Sequence, residues 1–307
     1  MRYLNFLDAD GRVRAGVLDP AGQDKVHDLT GLLPAGEAGP MRRLIAAAAT
    51  GPDVVERMIE RAPVVAAATT SVLPPVPDPT KVVAAPVNYR NHQSEMSQDS
   101  HIDSLGVFLK APSSVIGHGG AVTLPYTDRR FDQEGEFAAV IGRTARNVDE
   151  ADALDYVFGY TCLLDMTMRG GEDRSVRKSF DTFTPVGPTI VSPADLPRID
   201  ELELHLWVNG TLRQRADLKD LIWSLPKLIA YVSTVMTLFP GDIVTTGTPE
   251  GVGEVFDGDR IEVEVTGLDR LAVTVTNQGA VACPTLGARR GPVPPSGLTP
   301  VAERGRK

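Results

Sequence analysis

Glu134 and Glu136 stand one residue apart at the head of an apolar run, Phe137-Ala138-Ala139-Val140-Ile141. Asp165 closes a second run, Tyr160-Thr161-Cys162-Leu163-Leu164. Strand side chains alternate with period two, so the two glutamates are expected on one face. Carboxylates at the edge of buried strands are costly unless a positive charge compensates them. A hard divalent cation, Mg²⁺ or Mn²⁺, meets that need, because it takes oxygen ligands and leaves positions open for a small molecule. The same Glu-x-Glu spacing occurs on solvated strand faces, so the triad takes its meaning from the groups around it.

His92 and Glu95 lie three residues apart in Asn88-Tyr89-Arg90-Asn91-His92-Gln93-Ser94-Glu95. On a helix they are neighbours. A carboxylate beside an imidazole orients it and favours its protonated form, which suits a general base near neutral pH. An exposed helix with an incidental pair has the same spacing. His27, His101, His118 and His205 have no similar partner. Arg177-Lys178 precedes a segment expected to bend at Pro185-Val186-Gly187-Pro188. Lys178 reads either as a group that binds a carboxylate or steadies a developing enolate, or as a solvated surface lysine. Lys110, after Val107-Phe108-Leu109, is a weaker case of the same kind. Pro240 to Gly253 reads as a strand entering a glycine-rich turn, whose N–H groups and hydroxyls face a ligand in some folds and only shape the chain in others. The phosphate-loop spacing is absent from it.

These groups need a scaffold, and composition bounds it. The chain has 307 residues, 42% hydrophobic and 23% charged, with a net charge of −9. That is an ordinary soluble composition. It argues against a nucleic-acid binder, which carries a basic patch. Two cysteines, Cys162 and Cys283, form neither a disulfide framework nor a zinc spacing, and fit a reducing cytoplasm. No signal-peptide core and no apolar stretch near the ~20 residues of a membrane helix is expected.

Residues 1–75 read as a small N-terminal α/β module. Strands are expected at 3–7 and 13–18 around the turn Asp8-Ala9-Asp10-Gly11, with a third near Val26. Helices are expected at 41–49 and 52–62. A proline-rich linker at 73–79 marks a boundary. Residues 76–283 read as the main domain, β-rich with helices at 91–98, 149–155 and 225–236, and a closing strand pair at 261–265 and 272–276. Residues 284–307 lack periodicity and read as a flexible tail.

Together the segments resemble the fumarylacetoacetate hydrolase family, in its acylpyruvate hydrolase and 2-hydroxyhepta-2,4-diene-1,7-dioate isomerase branch. The resemblance runs from about Lys81 to Asn277. It rests on NYRNHQSE (88–95), VFLKAPSS (107–114), EGEFAAVIG (134–142), YVFGYTCLLDMTMR (156–169), RKSFDTFTPVGP (177–188), VNGTLRQ (208–214) and PGDIVTTGTPEGVG (240–253), in that order. It implies a β-rich α+β fold with a distorted β-roll as catalytic domain, and a homodimer. It implies Glu134, Glu136 and Asp165 as ligands of Mg²⁺ or Mn²⁺, and His92 with Glu95 as a dyad on a mobile lid. Lys178 and Thr248 match groups that contact substrate near the metal; Tyr89, Lys110 and Arg169 join Thr248 as expected substrate contacts. The implied substrates are small 2-oxo acids or 1,3-dicarbonyl carboxylates.

The activity implied first is metal-dependent hydrolysis of a C–C bond in an acylpyruvate, with His92 activating water. Decarboxylation or keto–enol or diene isomerisation uses the same electron sink without water. A sugar-acid or ureido lyase and a non-catalytic metal-binding dimer are further alternatives. The chain departs from the commoner pattern after the metal aspartate, where Arg169-Gly170-Gly171-Glu172 replaces Arg-Asp-x-Gln. It also departs at 96–101, which lacks the usual prolines, and at 215–220. These departures bear on the substrate rather than on the metal centre.

Overall fold

The structure is a computed structural model, and it describes residues 1–294 apart from 23, 52, 68–70 and 289. Its spine is a 12-stranded sheet. Ten of its strands run in the order Val64–Ala66, Lys25–Asp28, Val13–Leu18, Arg2–Leu7, Thr184–Val191, Val157–Leu164, Gly135–Ile141, Ile243–Thr245, Val82–Ala84 and Phe108–Lys110, while Ser71–Leu73 pairs with Arg2–Leu7 and Val115–Ile116 with Thr184–Val191 off that path. A 5-stranded sheet, running from Thr211–Asp217 through Glu203–Val208, Arg260–Val265 and Leu271–Thr276 to Ala121–Thr123, packs against it. Strand Glu203–Val208 alternates half-buried and buried positions, so one face supplies Leu204, Leu206 and Val208 to the shared core. Strand Gly135–Ile141, between the layers, is buried at every position, and its unbroken apolar run is what such a strand requires. Thr167–Met168, Phe131–Gln133 and Gly253–Glu254 form a small third sheet beside the triad. This is the β-rich α+β architecture expected.

Register assembles the acidic cluster. Gly135 pairs with Leu164 in the antiparallel ladder. That pairing carries Asp165 beside Glu134, and the Asp165 N–H donates to the Glu134 carbonyl at 2.8 Å.

The N-terminal residues are less separate than their composition suggests. Tyr3 pairs with Ile190, so their strands continue the central sheet. Helix Pro40–Ala48 buries Met41, Leu44 and Ile45 in a core that also contains Val140 and Ile190. The proline-rich stretch belongs to this layer, since Ser71–Leu73 pairs with Arg2–Leu7 and Val76 is fully buried.

The expected helix at 52–62 is observed as Val54–Ile59, and residue 52 lies outside the described residues. The segment at 149–155 is a 3₁₀ turn, Glu150–Tyr156. Helix Leu225–Val235 starts at Ser224, whose side chain accepts from the Lys227 N–H. The bend expected at 185–188 is instead part of strand Thr184–Val191. Among the described residues no helix is long and apolar enough to cross a membrane.

The start of the expected flexible tail is folded back. Thr285 Oγ1 accepts from Arg129 at 3.0 Å, and the Gly287 carbonyl accepts from the Gly171 N–H at 3.1 Å. The Pro294 carbonyl accepts from Arg130 at 3.4 Å. Residues 295–307 lie outside the described residues.

Candidate active site

Each residue of the acidic triad offers a carboxylate oxygen within 4.8 Å of the other two. All three side chains are buried, and their surroundings differ. Glu134 accepts from Arg169 Nη2 at 2.8 Å and from Lys178 Nζ at 2.6 Å. Asp165 accepts from Lys110 Nζ at 2.6 Å and also from Lys178 Nζ. Lys178 is further bonded to Thr167 Oγ1 at 2.7 Å. Glu136 forms no ion pair with a described residue; it accepts from the Thr245 hydroxyl and from the Gly247 N–H at 2.9 Å.

Those surroundings push the two glutamates apart. Burial alone would raise Glu134, but the Lys178 and Arg169 charges hold it well below the usual carboxylate range. Burial, reinforced by the Asp165 charge, pushes Glu136 up to about 8. An all-oxygen donor set in which one buried carboxylate lacks a cationic partner fits a hard divalent ion such as Mg²⁺ or Mn²⁺.

The dyad faces the same space. Helix Arg90–Glu95 buries His92, whose Nδ1 lies 3.2 Å from Glu95 Oε2. Nε2 is therefore the nitrogen left to handle a proton on the cavity side. Glu95 is anchored in turn, because its Oε1 accepts from the Gly251 N–H at 2.9 Å. Gly251 has φ +96°, and a Cβ there would run into the Arg213 carbonyl. Only glycine brings that N–H close enough.

His92, Lys178, Thr248, Arg169 and the triad line one cavity of about 450 Å³, its mouth included. Two expected substrate contacts lie outside its wall. Lys110 is 1% exposed, and its ammonium is taken by Asp165 and by the carbonyls of Lys178 and Phe183. The Phe108–Lys110 strand enters behind the cluster, so this lysine is a counter-charge to Asp165. Tyr89 is buried with no partner for its hydroxyl among the described residues, and desolvation raises its pKa.

Other buried polar residues position the site through hydrogen bonds. Gln214 accepts from the Gly135 N–H at 2.8 Å and donates to Thr248 Oγ1 at 2.8 Å, joining the glutamate strand to the glycine-rich turn. Asp132 holds Arg169 Nε at 2.6 Å. Asn88 bonds the Trp223 and Thr246 carbonyls and the Trp223 N–H, fixing the base of the dyad helix. In the departing segment, Glu172 pairs with Arg129 at 2.6 Å and accepts from Thr285. The Arg129 bond holds Glu172 down at about 2. Gln214 and Asn88 fall inside the quoted motifs, but nothing in a linear sequence marks which distant backbone groups a buried amide will bridge.

The family profile described as fumarylacetoacetate (FAA) hydrolase C-terminal matches residues 81–276. The maleylpyruvate hydrolase of Aquipseudomonas alcaligenes is 42% identical over 232 residues, which are 72% of this chain and 81% of that one. A 4-hydroxyphenylacetate degradation bifunctional isomerase/decarboxylase of Escherichia coli is 41% identical over 216 residues, 68% of this chain and 50% of that protein. The crystal structure of maleylpyruvate hydrolase from Sphingobium sp. SYK-6, in complex with manganese(II) ion and pyruvate, is similar with a TM-score of 0.77 and 40% identity; the match covers 90% of this chain and 99% of that one.

Proposed function

The chain belongs to the fumarylacetoacetate hydrolase family, and from that premise we propose that it is a divalent-metal-dependent hydrolase cleaving a C–C bond in an acylpyruvate. The observation that carries the reading is the convergence on one cavity of the buried triad, with Glu136 lacking a cationic partner, and the His92–Glu95 dyad. The manganese and pyruvate in the Sphingobium relative support it, since pyruvate is one half of any acylpyruvate.

Glu134, Glu136 and Asp165 would hold Mg²⁺ or Mn²⁺, which when bound supplies Lewis acidity toward the 2-oxo acid end of the substrate. His92, with Nδ1 held by Glu95, takes a proton from water through Nε2 and directs the oxygen at the distal carbonyl. The bond between that carbonyl and the adjacent methylene breaks, and its electron pair becomes the pyruvate enolate. The Lys178 ammonium, fixed among Glu134, Asp165 and Thr167, stabilises that negative charge. His92 then returns its proton to the enolate carbon. Water and acylpyruvate thus become a carboxylic acid and pyruvate. Thr248 and Arg169, held by Gln214 and Asp132, orient the 2-oxo acid end.

The E. coli relative favours a second reading, isomerisation or decarboxylation of a 2-oxo acid on the same site with water kept out. Product analysis separates the two. Hydrolysis yields pyruvate and a second acid in equal amounts; carbon dioxide, or a shifted double bond without cleavage, would replace it with the alternative. The functional unit is read as a homodimer on the family resemblance, and as cytoplasmic on its two cysteines, both free.

A further inference from the structure

We propose that the C-terminal segment at residues 283–294, residue 289 aside, is a strap built onto the mouth of the active-site cavity, and that its Pro292 is a specificity-determining residue that limits how long an acyl group the cavity admits. The inference rests on the acylpyruvate reading above and adds the size of the acyl end.

The strap lies beyond residues 81–276, which the family profile matches. It is pinned along its length. The Cys283 N–H donates to Asp128 Oδ1 at 2.8 Å, and Thr285 Oγ1 accepts from Arg129 and bonds Glu172. The Gly287 carbonyl accepts from the Gly171 N–H at 3.1 Å and from the Arg290 N–H at 3.0 Å, which turns the chain. Pro294 is buried, and its carbonyl accepts from Arg130 at 3.4 Å. Arg130 bonds Asp132 at 2.7 Å, and Asp132 holds Arg169 on Glu134. The strap thus ends on the ion-pair chain that reaches the triad.

The seat for the strap lies in the segment where the sequence departs from the commoner pattern. A side chain at Gly170 would collide with Arg129 and Glu172, the pair that holds Thr285. Gly291 packs directly on the Gly170 carbonyl; a Cβ there would run into that oxygen, and its φ of +81° favours glycine.

This seat delivers Pro292 to a fixed place. Pro292 lines the catalytic cavity with the triad and His92. It also lines an adjoining outer cleft, with the exposed Ser97, Asp99 and Ser100. Among the described residues, the triad and His92 line only the inner space. Pro292 therefore stands where the inner cavity meets the outer cleft. A substrate held by its 2-oxo acid end at the triad sends a long acyl chain out past it. The proline ring cannot swing aside as a flexible side chain can, and in a fitted pocket one methylene is worth about 10- to 200-fold in selectivity.

The test compares acetylpyruvate with octanoylpyruvate on the Mn²⁺-loaded full chain. Wild type should favour acetylpyruvate in kcat/KM. Pro292→Gly, which removes the ring, and Gly291→Ala, which unseats the strap, should each raise the octanoyl-to-acetyl ratio about 10-fold or more, by lowering KM for the long substrate. A calorimetric arm needs no turnover: 2-oxodecanoate should gain about 10-fold in affinity relative to 2-oxobutyrate in both variants. Pro292→Gly leaves the anchors of the strap in place, so it decides the matter if Gly291→Ala fails to fold. A strap that only stabilised the fold would lower both substrates together. An unchanged ratio in Pro292→Gly, an equal loss on both substrates, or equal use of both by wild type overturns the inference. Failure of the hydrolase reading looks different, because wild type would then release pyruvate from neither substrate while the calorimetric arm still reports on Pro292.

Discussion

At the scale of single residues, the chemistry depends on how unlike the three carboxylates are. Glu134 and Asp165 are matched to lysine and arginine, whereas Glu136 is matched only to a hydroxyl and a backbone N–H. With its pKa raised from 4.5 to about 8, Glu136 is protonated near neutrality until a cation arrives. Metal uptake should therefore release a proton at about pH 6–7 and progressively less above about pH 8, and affinity should rise with pH up to that point. Calorimetry in buffers of different ionisation enthalpy reads the proton count; a count of zero at about pH 6.5 would contradict this assignment. In the metal-free chain the same shift has a stability sign. Between 4.5 and about 8 the folded state holds a proton that the unfolded state has lost, so this contribution is full below 4.5 and is lost as pH rises through about 8. His92→Ala tests the dyad separately. It should leave Mn²⁺ affinity unchanged and lower kcat about 100-fold or more; unchanged turnover would remove His92 from the mechanism.

At the scale of elements, the site is a matter of register and of one turn. The Gly135–Leu164 pairing sets Asp165 beside Glu134, and Gly251 ties the dyad helix to the glycine-rich turn. Gly251→Ala would place a methyl against the Arg213 carbonyl at a φ of +96°. It should cost about 1–3 kcal/mol of stability and lower kcat more than it raises KM, because Glu95 loses its anchor while the triad is untouched. Wild-type kcat in that variant would show that the anchor does not matter. The strands were legible because unbroken apolar runs and alternating ones specify buried and half-buried strands directly. The placement of Lys110 was not. A lysine at a strand end reads as solvated or substrate-facing, and only the tertiary fold shows that it neutralises Asp165 from behind. Thr285 is a similar case: the stretch around it lacks periodicity and reads as free, yet Arg129 and Glu172, far away in sequence, hold it.

At the scale of the whole molecule, the layered sheets bury the carboxylates and leave a cavity lined by the triad, His92, Lys178 and Arg169. The N-terminal strands extend the same sheet and share its core, so the chain supports the site as one body, although its composition suggests a module and a linker. The central claim is that the triad holds the metal on which C–C cleavage depends. Its most direct test is pyruvate release from an acylpyruvate by metal-stripped enzyme as Mn²⁺ is titrated back, with wild type beside Asp165→Asn. Wild type should be inactive when stripped and recover fully near one Mn²⁺ per chain, while Asp165→Asn should stay inactive throughout. Full activity in the stripped wild type, or recovery of Asp165→Asn to the wild-type rate, would contradict the account.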